Sequence, residues 1–146
     1  MRIPALPFLA PIFLAISMIP AAADDLTGRD WQLLAIDGQV LDFDIIATLR
    51  IAKDGAFTGK APCNSWGTQN RATLPALELR GIRATRRACD KLAEENAFFD
   101  ALSVMTALRI EGRKNLIFSG PDGRTMEFVT DRMNSLTRCL TCPPNE

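Results

Sequence analysis

The chain has 146 residues, of which 17 are basic and 17 acidic, and it contains no histidine and no tyrosine. A formal charge near zero disfavours general binding to nucleic acid, which requires a clear excess of cationic side chains. The absence of histidine excludes a Ser-His-Asp triad, a Cys-His pair and any histidine metal ligand, which lowers the expectation of an enzyme.

The first segment has the pattern of a secretory signal peptide. Arg2 precedes an apolar run over residues 3–19, and three alanines come before Asp24. This arrangement predicts an A-x-A cleavage site after Ala23. An uncleaved anchor is the competing interpretation, but four prolines interrupt a run that is already short for spanning a bilayer. We therefore expect a periplasmic or secreted protein with no stable membrane anchor after cleavage.

The remaining chain is long enough for one domain with a hydrophobic core of its own. We expect residues 1–23 to be the signal peptide and residues 24–130 to form the folded domain. Residues 131–146 lose hydrophobic periodicity and contain a C-x-x-C sequence. We expect a cysteine-containing tail there.

Alternation of apolar and polar residues predicts a domain built mainly of strands. In the first strand, Trp31, Leu33 and Ala35 would face the core. The Asp54-Gly55 dipeptide predicts a hairpin between the second and third strands. The predicted strands cover residues 27–36, 47–51, 56–61, 66–73, 76–83, 107–110, 115–118 and 125–129.

One helix is predicted between Asp90 and Met105, where the apolar period changes from two to about 3.6 residues. Asp90 is the predicted N-cap, and Glu94 and Glu95 would lie outside the apolar stripe, near the positive end of the helix dipole. The stripe consists of Leu92, Phe98, Phe99, Leu102 and Met105. Because strands follow the helix, it would be an insertion into a single sheet.

Several short motifs occur in order along the predicted domain. They are Gly28-x-x-Trp31-x-Leu33, the Asp37-Gly38 turn, Gly55 and Gly59, Cys63-Asn64, the Thr-x-x-Ala-Cys element at 85–89, then Glu94, Phe98 and Leu102, and a closing hairpin at 116–118 and 126–128. In this order and spacing they resemble the META domain of the heat-shock protein HslJ family, over residues 26–129. The chain departs from the family pattern at Pro62, where glycine is usual, and lacks the tyrosine that commonly follows Gly67.

The resemblance implies an α+β, mostly β fold: a small antiparallel, barrel-like sheet with one packed helix. It implies export to the cell envelope, no known catalytic residue, and a link with stress tolerance and antibiotic resistance. We therefore expect a non-enzymatic stress-tolerance or binding module without a cofactor.

The four cysteines leave several interpretations open. We expect structural disulfides between Cys63 and Cys89 and between Cys139 and Cys142, since an exported domain is exposed to oxidation. Four cysteines permit three connectivities. The C-x-x-C pair at 139 and 142 is the basis of the alternative function, a thiol-disulfide redox or metal-binding protein, although it lacks the βαβ context of thioredoxin-like sites. A four-cysteine zinc site would have unusual spacing.

Two groups of residues are candidates for a binding surface. Arg83, Arg86 and Arg87, within a run that also holds Arg80 and Lys91, could bind phosphate or another envelope anion through their guanidinium groups. Alternatively, these cations are solvated and paired with Asp90, Glu94 or Glu95.

The second group is Asn64 and Trp66, which follow a strand that ends at Pro62. An exposed tryptophan beside an amide would suit binding. In the alternative, Trp66 caps the core and Asn64 bonds its own turn. The expected partner of either group is an envelope component or an anionic small molecule.

Overall fold

The computed structural model describes residues 26–112 and 114–135. The predicted signal peptide and the Cys139 and Cys142 pair lie outside these residues. In chain order the elements are β1 (Asp30–Ile36), β2 (Gln39–Val40), β3 (Thr48–Ile51), β4 (Ala56–Lys60), β5 (Ser65–Asn70), β6 (Leu79–Ala84), α1 (Leu92–Ser103), β7 (Ala107–Glu111), β8 (Asn115–Ser119), a 3-10 turn (Pro121–Gly123), β9 (Thr125–Val129) and α2 (Arg132–Ser135). Each predicted strand has a counterpart, and β2 was not predicted.

The strands form one antiparallel sheet in the order β6-β5-β4-β3-β1-β9-β8-β7, with β2 paired to β1. The sheet is not closed, because its two edge strands, β6 and β7, form no ladder with each other within the described chain. The segment before β6 nevertheless reaches the start of β7: the Leu77 amide donates to the Thr106 carbonyl at 2.8 Å, and the Leu108 amide donates to the Pro75 carbonyl at 2.9 Å. The predicted fold class, mostly antiparallel β with one main helix, is confirmed, and the helix is inserted into one sheet.

The core lies between the sheet and α1 and is rich in aromatic side chains. Phe118 packs against Phe57 and Phe128, with ring centroids 6.2 Å and 5.1 Å apart. Phe98 of α1 contacts Trp66 of β5 edge to face, with centroids 5.5 Å apart. Such pairs contribute about 0.5–1.5 kcal/mol beyond their buried area. Phe98 therefore fixes the helix to the strand that follows Cys63-Asn64.

The prediction that Ala35 shares the core face with Trp31 and Leu33 is wrong, because β1 contains a bulge. Leu33 pairs with Phe128, whereas Ala35 pairs with Glu127, so the register shifts at Leu34. Residues opposite each other share a face of the sheet, and the extra residue therefore moves Ala35 to the face opposite Leu33. Ile36 packs against the main core cluster instead.

The start of α1 also differs from the prediction. Lys91, not Asp90, is the N-cap residue, and no side chain caps the helix there. The Lys91 amide itself donates to Cys89 Sγ at 3.3 Å, which ties the start of the helix to the disulfide. Leu92, predicted in the apolar stripe, is 42% exposed. None of the helices in the described chain is long and apolar enough to cross a membrane.

The beginning of the predicted tail is packed against the domain. Arg132 of α2 is 6% exposed, and its guanidinium donates to the carbonyl oxygens of Leu41, Asp42 and Ile45. These bonds satisfy carbonyls of the loop between β2 and β3 and anchor α2 beside β1.

Gly59 provides a test of the packing between β3, β4 and β5. A Cβ atom there would lie 1.9 Å from the Thr48 carbonyl oxygen, and the indole of Trp66 is nearby. We expect Gly59→Ala to lower the free energy of unfolding by at least about 2 kcal/mol, because neither backbone can retreat without breaking the sheet. Urea denaturation followed by tryptophan fluorescence would measure the change.

Gly67→Ala is the matched control for Gly59→Ala. A Cβ atom at Gly67 meets only ordinary contacts at 3.6 Å, so its effect should stay within about 1 kcal/mol. Equal stability of the two variants would contradict the described packing.

Candidate functional site

The Cys63–Cys89 disulfide joins the loop between β4 and β5 to the segment that leads from β6 into α1. The two Cα atoms are 5.9 Å apart, and the bond spans 26 residues of sequence. The bond expected from the sequence is therefore present, and its sulfurs are bonded to each other. In the described ranges no group of three or more Cys, Asp or Glu side chains is arranged to hold a metal ion.

Asn64 is the polar centre of this junction. It is 4% exposed, and its Nδ2 donates to Glu95 Oε1 at 2.7 Å and to the Arg87 carbonyl at 3.3 Å. Its Oδ1 accepts from the Thr85 hydroxyl at 2.8 Å and from the Arg87 amide at 2.7 Å. The side chain thus makes all four hydrogen bonds available to an asparagine amide. The prediction that the Asn64 side chain bonds its own turn is wrong, because all of its side-chain partners lie more than 20 residues away. Only its backbone carbonyl bonds within the turn, accepting from the Ala61 amide at 2.7 Å.

Glu95 completes the junction from the helix. It is 6% exposed, and its Oε2 accepts from the amides of Cys63 at 2.9 Å and Asn64 at 2.8 Å. Together with the bond from Asn64 Nδ2, three donors satisfy this carboxylate. The prediction that Glu95 lies on the solvent side of α1 is therefore wrong. Its burial is tolerated because three N–H donors replace water at these oxygens.

Trp66 is a core residue rather than an exposed one. It is 4% exposed and packs in the core against Phe98, while its indole nitrogen donates to the Thr48 carbonyl at 3.3 Å. The proposed role as an exposed binding residue is wrong. The alternative, in which Trp66 contributes to the core, is confirmed.

The basic run divides into two kinds of residue. Arg80 pairs with Glu78 at 3.0 Å, and Lys91 pairs with Asp44 at 2.6 Å. The hydrogen bond from Lys91 lowers the pKa of Asp44. These carboxylates are not the predicted ones, since the run does not pair with Asp90, Glu94 or Glu95.

Arg83, Arg86 and Arg87 form the second kind and are exposed. Within residues 26–112 and 114–135, no carboxylate lies at ion-pair distance from any of them. Three cationic side chains thus lie within five consecutive residues, and none of them is in an ion pair with a described carboxylate.

These three arginines line an open cleft of about 660 Å³ at the junction. Asn64 and Glu95 also line it, and Leu92 adds an apolar wall. The backbone that carries the arginines is fixed at both ends, because Arg83 pairs with Gly67 of β5 and Asn64 binds both backbone groups of Arg87. We call Arg83, Arg86, Arg87 and this cleft the arginine cleft.

Sequence reasoning found the arginines, Asn64 and the disulfide but missed Thr85 and Glu95. A signal for Glu95 was present: residues 95, 98 and 102 follow the spacing of one helix face, and Phe98 and Leu102 were assigned to the core. Because glutamate is charged, the sequence pattern predicts a solvent position for Glu95 although its spacing matches the buried face. For Thr85 the sequence offers no comparable signal, because its partner Asn64 is distant in the chain.

Comparisons place this geometry among known folds. The family model described as META domain matches residues 24–133. The chain is similar to a protein from Burkholderia xenovorans solved by NMR, with a TM-score of 0.60 and 20% identity over 90% of this chain and 98% of that one. It is also similar to a DUF4847 family protein from Bacteroides vulgatus, with a TM-score of 0.60 and 13% identity over 75% and 96% of the two chains. At these identities the likeness concerns the fold. No curated protein matches the sequence.

Glu95→Gln would test the polarity of the junction. A glutamine oxygen can replace Oε2, but its amide nitrogen would then face Asn64 Nδ2, which is also a donor. Rotating the Asn64 amide by 180° would relieve this clash but would bring Asn64 Nδ2 against the Arg87 amide, so two donors would still face each other. We expect a loss of about 1–3 kcal/mol in the free energy of unfolding, measured by urea denaturation. Asp100→Asn, an exposed change on the same helix, should have almost no effect, and equal losses would refute the assignment.

The disulfide should stabilise the domain mainly by restricting the unfolded chain. For a loop of this length, the chain-entropy estimate predicts that Cys63→Ser with Cys89→Ser lowers the free energy of unfolding by about 3.5 kcal/mol. The double variant should still fold, because Asn64 and Glu95 hold the same segments together. Circular dichroism should therefore show an unchanged spectrum with a lower melting temperature. An unfolded double variant would show that the hydrogen bonds alone do not hold the junction.

Proposed function

Because the chain belongs to the META domain family, we propose that it is a non-enzymatic binding module of the cell envelope that contributes to stress tolerance. The arginine cleft would bind an anionic envelope component. The observation that supports this most directly is the presence of Arg83, Arg86 and Arg87 around one cleft without an acidic partner in the described chain. Export to the periplasm, by way of the predicted signal peptide, is part of the proposal.

Charge supports an anionic ligand. Like charges held close together repel one another, and a bound anion removes that repulsion while gaining charge-assisted hydrogen bonds from the guanidinium groups. Each guanidinium presents a planar fork that matches carboxylate or phosphate oxygens. A cluster of this kind on a nearly neutral protein favours recognition of one anion over general adhesion to polyanions.

Preorganisation also supports binding at this cleft. The backbone from Thr85 to Cys89 is fixed by Asn64 and by the disulfide. A ligand would therefore order only the arginine side chains, at a cost of about 0.5–1.5 kcal/mol for each side chain immobilised. A mobile loop would add the cost of ordering its backbone.

The site offers little to an acid-base mechanism. Glu95 is the buried carboxylate of the cleft, and three donors already occupy its oxygens. An enzymatic role would fall to Cys139 and Cys142, which lie outside the described residues. Binding is therefore the function that we propose.

Neutralising the arginine cleft should abolish the function of the protein in the cell. In a strain that lacks the gene, the variant Arg83→Gln, Arg86→Gln, Arg87→Gln should leave antibiotic and heat sensitivity unrescued, whereas the wild-type chain restores tolerance. The purified variant should keep the wild-type circular dichroism spectrum, because all three side chains are exposed. Sensitivity of the strains on antibiotic gradients and after heat challenge would be the measurement.

A control with the same change in charge is Arg50→Gln, Lys53→Gln, Arg109→Gln, whose residues are exposed and do not line the arginine cleft. This control should rescue fully. Full rescue by the cleft variant would rule the proposal out. Truncation after Ser135, which keeps Arg132, removes Cys139 and Cys142. If it abolished both the phenotype and catalysed reduction of insulin, the redox alternative would replace the binding module.

A further inference from the structure

A bulge in β6 places two arginines on one face of the sheet. In the pairing of β5 with β6, Gly67 lies opposite Arg83 and Gln69 lies opposite Arg80. One residue of β5 therefore faces two residues of β6, and Gly81 has the positive φ of 65° that such a bulge favours. Without the extra residue, positions 80 and 83 would point to opposite faces. With it, both share the outer, solvent-exposed face with Gly67 and Gln69.

This face continues the arginine cleft along the strand. A second cleft of about 400 Å³ lies over Gly67 and is lined by Arg80, Arg83 and also Arg71. A third, of about 320 Å³, is lined by Arg83 and Thr85. Arg83 thus lines all three clefts, which form one basic track from Arg80, exposed and paired with the exposed Glu78, to Arg87. A six-residue strand alone spans about 20 Å, too long for one compact anion to occupy.

The same strand has a free hydrogen-bonding edge. β6 pairs with β5 on one side, and no strand of the described chain pairs with its other side. Four of its six residues are exposed. Backbone amide and carbonyl groups on such an edge can pair with an added strand. Charge selects the added strand: a second copy of β6 would bring arginine against arginine, whereas an acidic strand would place carboxylates opposite them.

We propose that the ligand of this site is an extended acidic peptide segment, which adds as a strand to the β6 edge and pairs its carboxylates with Arg80, Arg83, Arg86 and Arg87. The inference rests on the proposed function and names the class of its anion. Backbone hydrogen bonds provide the pairing, and the arginine track provides the selection.

The test uses the purified mature protein and two synthetic eight-residue peptides in which glutamate alternates with threonine. The second peptide is N-methylated at alternate amides, so that it keeps every charge but loses the donors on its pairing edge. Fluorescence anisotropy should show that the plain peptide binds at least tenfold more tightly than the methylated one. Arg80→Gln with Arg83→Gln should weaken the plain peptide by a similar factor, while Arg50→Gln with Arg109→Gln should not.

Each remaining outcome separates this inference from the function on which it rests. Equal binding of the two peptides would overturn strand addition. Binding of inorganic phosphate or of phosphatidylglycerol vesicles through Arg83, Arg86 and Arg87, without binding of the peptide, would overturn the peptide ligand but leave an anion-binding module. If none of these probes bound, both proposals would fail.

Discussion

The hydrogen-bonded pair of Asn64 and Glu95 is the interaction on which the rest of the structure depends. It links three segments that are distant in sequence: the β4–β5 loop, the segment after β6 and helix α1. A buried carboxylate is costly unless its oxygens are satisfied, and here three N–H donors bond to the two oxygens of Glu95. The arrangement admits one geometry, since exchanging the amide oxygen and nitrogen of Asn64 would place its nitrogen against the Arg87 amide and its oxygen against Glu95 Oε1 and the Arg87 carbonyl. The pair therefore specifies how the helix inserted into the sheet is oriented.

The disulfide and this pair constrain the same junction by different physical means. The covalent bond reduces the entropy of the unfolded chain, whereas the hydrogen bonds act in the folded state and fix direction as well as distance. Apolar packing supplies the third constraint, through Phe98 of α1 against Trp66 of β5. Because all three converge beside the arginine cleft, the exposed cationic side chains are carried by a segment that is held by covalent, polar and apolar contacts. Rigidity at the base of a charged surface is what a preorganised binding site needs.

Much of the fold could be predicted from the sequence because it depends on local patterns. The Asp54-Gly55 turn, the alternation in β3 and β4, and the change of period after Cys89 each report on neighbouring residues. The errors have long-range causes. Simple alternation predicts the wrong face for Ala35, because the bulge in β1 depends on its pairing with β9. The sequence pattern predicts a solvent position for Glu95, because the donors that make its burial possible lie in a loop about 31 residues away in sequence. In the site, the sequence shows the arginines as a run. The burial of Trp66 and the common face of Arg80 and Arg83 depend on strand register, which local sequence does not show.

The chain as a whole is neutral, but positive charges are concentrated on one face, and this local distribution matters more for the proposed function than the net charge. Equal numbers of acidic and basic residues give a formal charge of zero, yet the face along β6 and the following segment concentrates five arginines, at 71, 80, 83, 86 and 87, of which Arg80 is paired with Glu78. At physiological ionic strength the field of a charge decays over about 8 Å, so a ligand near this face responds to these arginines and hardly to acids elsewhere. Net charge thus governs solubility and general adhesion, whereas the register set by Gly81 and the junction at Asn64 decide where the positive field is felt.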